Sequence, residues 1–160
     1  MKFYNKALTL KKLKCNNAII PELLIINAKD FLKNKEVVIK KIIKNFNIND
    51  YLIVRSSSDD EDTSKKSNAG LFDSVSMVAN NNNEIELAIV KVLNSYKKIT
   101  LNSIIFVQKM VSDCNFAGVI TTCNLSNQAP YYVINYFDGK DTAAATSGKA
   151  NTKNYFQFKY

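Results

Sequence analysis

The hydrophobic period of the chain changes near residue 103, and this limits the fold more than any other feature. Before that point Leu32, Ile39, Ile42, Ile43 and Phe46 recur at helical spacing, and Ile85, Ala88, Ile89, Val92, Leu93 and Tyr96 do so again. Steps of three and four residues gather apolar side chains along one side of a helix. After it come runs of β-favouring residues, at Ile104 to Val111, Phe116 to Thr122, Tyr131 to Phe137 and Tyr155 to Tyr160. Helix runs followed by strand runs predict an α+β fold, with helices packed on a mostly antiparallel sheet. The same change divides the chain into an amino-terminal lobe, 1–102, and a β-rich second lobe beginning at 103 and running to 160.

Local signals fill in the first lobe. Leu8, Leu10 and Leu13 suggest a short helix with Lys11, Lys12 and Lys14 outward, and Ala18 to Ile26 reads as extended around Pro21. Asn27, with Asp30 three residues on, caps a helix running through Asn47. Tyr51 to Val54 is a short strand ending at Arg55, Ser56 to Gly70 is a polar loop, and Asn80 to Asn83 is a linker with Asn83 near the next cap.

Composition excludes several classes of function. With 46% hydrophobic and 22% charged residues over 160 positions, the chain affords a packed core and is not disordered. Its longest apolar stretch, Ala18 to Ile26, is broken by Pro21 and Glu22, short of the roughly 20 residues of a membrane span. The amino terminus has no signal-peptide pattern, so the expectation is a cytoplasmic protein with no membrane partner. There is no histidine, which removes Ser-His-Asp and Cys-His nucleophiles, His-containing zinc sites and a phosphohistidine relay within the chain. Cys15, Cys114 and Cys123 are odd in number and lack CxxC spacing, as expected of buried reduced thiols and not of a metal site.

Residues 1–48 contain eleven lysines against Glu22, Asp30 and Glu36, which accounts for the whole formal charge of +8 and leaves the remainder neutral. A basic third suits phosphate, in a nucleotide, a polynucleotide or a membrane surface. The chain has no nucleic-acid-binding motif and no interleaving of aromatic and basic residues, so no nucleic-acid partner is expected. Arg55 is the only arginine. A planar fork at the end of an apolar strand either grips phosphate or carboxylate in bidentate fashion or pairs with the adjacent Asp59, Asp60, Glu61 and Asp62.

The stretch Val54-Arg55-Ser56-Ser57-Ser58-Asp59-Asp60-Glu61-Asp62, followed by Ser67-Asn68-Ala69-Gly70 and Ser74, resembles the VRSSxxxED…AG signature of phosphoenolpyruvate synthase and pyruvate phosphate dikinase. That signature belongs to their amino-terminal, ATP-grasp nucleotide-binding domain. Lys6-Ala7-Leu8-Thr9-Leu10 with Ile20-Pro21 is similar to the family's opening lysine and VP segment. Val107-Gln108-Lys109-Met110-Val111 and Ala117-Gly118-Val119-Ile120-Thr121 resemble its VQxMV and GVxFT strands. The ordered blocks cover nearly the whole chain. Departures are the Tyr4-Asn5 and Ala7 flanks of Lys6, where the family has glycines, and Phe137-Asp138-Gly139-Lys140-Asp141 in place of GLGE.

The resemblance implies a partial ATP-grasp domain that binds ATP. It assigns Lys6 and Arg55 to the phosphates, Gly70 and Ser74 to a phosphate-covering loop, and Gln108, Met110 and Val111 to a strand reading adenine. It implies no catalytic residue and no metal ligand in this chain, since the family's Mg2+ ligands and its phosphohistidine and acceptor domains follow later. The expected activity of the intact enzyme is ATP-dependent phosphoryl transfer to a small acceptor such as pyruvate. Other acceptors, among them L-glutamine in capsule phosphoramidate synthesis, and a non-catalytic nucleotide-binding module are the alternatives. A chain ending here is expected to be inactive alone and, with apolar sheet surface uncovered, to self-associate.

Overall fold

A computed structural model of the protein describes residues 5–14, 16–57, 62–63, 66–67, 74–140 and 151–159. The chain forms two compact units, Met1–Met110 and Val111–Tyr160.

The first unit is built on a four-stranded sheet of β1 (Leu23–Asn27), β6 (Ile104–Lys109), β2 (Tyr51–Ser57) and β5 (Ser74–Ala79), in that spatial order. Every neighbouring pair is antiparallel. Before the strands comes α1 (Lys6–Lys12), between them run α2 (Ala28–Lys33), α3 (Lys35–Asn45) and α4 (Asn82–Asn94), and two-residue strands β3 (Asp62–Thr63) and β4 (Lys66–Ser67) pair with each other. The fold is therefore α+β with antiparallel sheets, as the change of period predicts. Helices and strands are interleaved, however, and β6 pairs with both β1 and β2, so the first unit extends to Met110 and not to residue 102.

Alternation along the strands makes the sheet two-faced. Leu24, Ile26, Leu52, Val54, Ile105 and Val107 meet Phe31, Ile39, Ile42, Ile85, Ile89 and Val92 of the helices in one core. Phe106 and Ala7 are fully buried but lie outside that core, and α1 packs on β6. The expected long helix from Asn27 to Asn47 is divided at Asn34. Asn27 caps α2 as expected, its side chain accepting from Lys29 N–H at 2.9 Å. Asn34 then closes α2, donating to the Asp30 carbonyl, and opens α3, its Oδ1 accepting from Val37 N–H. One short polar side chain thus serves both helix ends.

The asparagine run is no linker. Asn81 caps α4, and Asn80, 2% exposed, donates Nδ2 to the carbonyls of Ile43, Phe46 and Asn47 at 3.3, 2.9 and 3.1 Å. These carbonyls end α3, where no helical donor remains for them. Beside it, β5 was not evident from its composition. It carries a bulge opposite Leu52 to Val54, with Met77 at φ 58°. A side chain in that left-handed region costs about 1–2 kcal/mol.

The second unit is a three-stranded antiparallel sheet of β7 (Phe116–Thr121), β8 (Tyr131–Asp138) and β9 (Lys153–Phe158). Gly118 is required by close packing, since a Cβ there would stand 2.7 Å from the Asn135 carbonyl oxygen. Cys114 and Cys123 are free and half-buried, more accessible than expected, in a unit that itself contains no helix among the described residues. Cys15 lies outside those residues. No helix among the described residues is long and apolar enough to cross a membrane.

Two stability measurements check this account. Asn80→Ala takes this donor from the buried Phe46 carbonyl and the part-buried Ile43 carbonyl, and should cost about 2 kcal/mol in urea unfolding. Met77→Val places a β-branched residue in the left-handed region and should cost about 1 kcal/mol or more, whereas Met77→Gly relieves the strain.

Candidate functional site

The strand register collects several of the expected residues on the sheet face opposite the main core. Arg55 stands directly across from Ser74 on β5 and from Phe106 on β6, and Ile25 of β1 extends the row. The neighbouring row holds Ile53, Gln108 and Leu23. Residues opposed in register share a face, so Ser74, Arg55 and Gln108 belong to one surface.

Arg55 is half-buried, and its Cζ lies 5.5 Å from the centroid of the fully buried Phe106 ring. At this distance the ring face attracts the cation, whose charge is retained. Ser74 opens β5 and is exposed. Of the alternative partners of Arg55, Asp59, Asp60 and Glu61 lie outside the described residues, as does Gly70, while Asp62 opens β3.

Lys6 is the first residue of α1. Asn5 caps this helix, its Oδ1 accepting from Leu8 N–H at 3.0 Å, which gives the position a role that a glycine would not fill. Ala7 N–H donates to Ser57 Oγ at 3.0 Å, fastening the start of α1 to β2 two residues beyond Arg55. Ser57 N–H in turn donates to the Tyr96 hydroxyl, which donates to the Ile104 carbonyl. Ser57 is fully buried and Ser56 nearly so. Ser57, inside the motif, therefore anchors structure, and the sequence offered no sign of this because its partner Tyr96 is 39 positions away.

Gln108, 7% exposed, donates Nε2 to the Pro21 carbonyl at 3.3 Å, and Lys109 N–H donates to the Glu22 carbonyl at 2.9 Å. These bonds join the two separated sequence blocks around Ile20-Pro21 and Val107-Gln108. The strand expected over Gln108 to Val111 ends at Lys109, and Met110 N–H still follows the register by donating to the Tyr51 carbonyl at 2.8 Å. Met110 is half-buried, and Val111 begins the second unit, 50% exposed. Lys109 reaches Asp50 with Nζ 2.6 Å from Oδ1, a contact that sequence patterning does not reveal. No group of three or more Cys, Asp or Glu suited to a metal occurs among the described residues.

The hydrogen bond from Lys109 holds the Asp50 carboxyl below its ordinary value of 3.8, helped by Asn47 and opposed by partial desolvation. A carboxylate whose pKa falls on folding stabilises the folded state above its unfolded value, and this contribution is lost as pH drops through the folded value. Asp50→Asn should therefore flatten the acid limb of stability against pH, with little change in its slope near neutrality, as read from urea midpoints across the carboxylate range.

No model of a known protein family matches the chain, and no curated protein matches it.

Proposed function

We propose that the first unit is the nucleotide-binding portion of a phosphoenolpyruvate-synthase-like phosphotransferase, and that it holds the phosphates of ATP on the face bearing Arg55. The observation that supports this reading is the row Ser74, Arg55, Phe106, with the start of α1 fastened to the same strand through Ser57. An arginine fork beside an aromatic ring suits two phosphate oxygens, Lys6 adds a point charge from the start of α1, and the Ser74 hydroxyl adds a donor. Binding of this kind positions the phosphates and neutralises their charge, which is most of what a protein contributes to phosphoryl transfer.

Adenine recognition belongs, in this reading, to the chain just past β6. The side chain of Gln108 and the N–H groups of Lys109 and Met110 are already bonded, so the base would meet the carbonyl of Met110, the N–H of Val111 and their apolar side chains. Mg2+ would be held by residues outside this chain. Lacking histidine, the chain cannot form a phosphohistidine, and it should show no turnover with ATP, Mg2+ and pyruvate or glutamine.

Calorimetry with ATP and AMP, with and without Mg2+, tests the assignment. Arg55→Lys should weaken ATP binding at least about tenfold although charge is retained. Lys6→Ala should weaken it less. Equal ATP affinity of wild type and Arg55→Lys would overturn the phosphate role of this face, and steady turnover abolished by Arg55→Ala would overturn the view that the chain is catalytically incomplete.

A further inference from the structure

One face of the second unit's sheet contains a depression of about 460 Å³. Register places Val119, Asn135 and Asn154 in one row across it and Thr121, Val133 and Phe156 in the next. The loop after β7 adds Asn124, Leu125 and Ser126. That loop is held by its own turns: Ser126 N–H donates to Asn124 Oδ1 at 2.9 Å, Ala129 N–H to Asn127 Oδ1 at 3.0 Å, and Asn124 N–H to the Ala129 carbonyl at 3.0 Å. Asn124 Nδ2 and Ser126 Oγ make no hydrogen bond among the described residues, so the ordered loop presents polar groups not used to build it.

The centre of the face is less ordinary. Asn135 donates Nδ2 to Asn154 Oδ1 at 3.0 Å, while Asn135 Oδ1 is buried without a partner. Exchanging the two amide atoms does not cure this, because a pair of amides joined by one bond still leaves one buried group unmatched. A buried acceptor of this kind costs about 1–3 kcal/mol and calls for a partner from outside.

The lining residues are Val, Thr, Asn, Leu, Ser and Phe, none of them ionisable. A phosphate, carboxylate or cation would therefore meet no opposite charge here to offset its loss of hydration. A hydroxyl group suits the site because it both donates, to Asn135 Oδ1, and accepts, from the amides of Asn154 and Asn124. Contact with Asn135 Oδ1 requires the Asn135 amide to turn and exchange its bond to Asn154 for one to the ligand, a side-chain rearrangement of a kind common on binding. Phe156, 55% exposed, and Val133 beside it offer an apolar wall to the C–H face of a ring. We propose that this depression binds an uncharged polyhydroxylated ring, either a free monosaccharide or a sugar carried on a larger neutral group.

Side-chain amide resonances of the isotope-labelled full chain, titrated with methyl glucoside, D-ribose and adenosine, test this. Saturable shifts of the Asn124, Asn135 and Asn154 amides at millimolar glucoside or ribose are expected. Phe156→Ala and Asn154→Leu should weaken them at least about tenfold with the remaining spectrum unchanged. Should either variant disturb the sheet, Asn124→Ala in the loop provides the same comparison. A response to both sugar and adenosine assigns the ring to a carried sugar, and a response to sugar alone to a free one. A response to adenosine alone, no saturable shift with any probe, or shifts that survive in all three variants would overturn the proposal.

Discussion

The first unit depends on the insertion of β6 between β1 and β2. Ile105, Phe106 and Val107 are all fully buried, which a strand achieves only when both of its faces are covered. Ile105 and Val107 complete the core under the helices, while Phe106 supports Arg55 from the other side. Without this strand β1 would be unpaired and β2 would become an edge, the helices would lack the centre of the surface they cover, and the arginine would lose the ring beneath it.

On the Arg55 face, construction and candidate chemistry are divided among neighbouring residues. Ser57 holds α1 by its hydroxyl and Tyr96 by its N–H, Gln108 holds the Pro21 segment, and Asn5 starts the helix. Arg55 and Ser74 flank this work in one register row. A motif of six or seven residues is therefore not a list of ligand contacts. Some of its members keep the others in place, and the two kinds cannot be separated by spacing alone.

What the sequence disclosed follows from how local each signal is. The α4 stripe, the Asn27 cap and the strands after residue 103 depend on neighbours a few positions away, and they appear where expected. The break at Asn34 was hidden because apolar spacing continues through it, and only the capping geometry distinguishes two helices from one. The structural role of Asn80 was hidden by its neighbours, since three further asparagines made it resemble a linker. Strand content places Ile104 to Lys109 in a sheet but does not say which sheet, because alternation specifies faces and not partners. That is why the boundary falls after Met110. For the candidate site, the residue types were legible from the blocks, whereas the Arg55–Phe106 contact and the Ser57 anchor come from pairings distant in sequence.

The position of β6 in the chain has a consequence for how the molecule is made. Leu23 pairs with Gln108, so a strand that leaves the ribosome early waits for one synthesised some eighty residues later. Closing so long a loop is entropically costly, and non-local pairings of this kind slow folding. Until Lys109 emerges, the inner edges of β1 and β2 remain open to any other strand, in a nascent chain whose first third carries nearly all of its net positive charge. Like charges repel one another, and the lysines of α2 and α3 are exposed on the finished surface. As long as the central strand is missing, two copies of this segment would thus present the same sign of charge to one another.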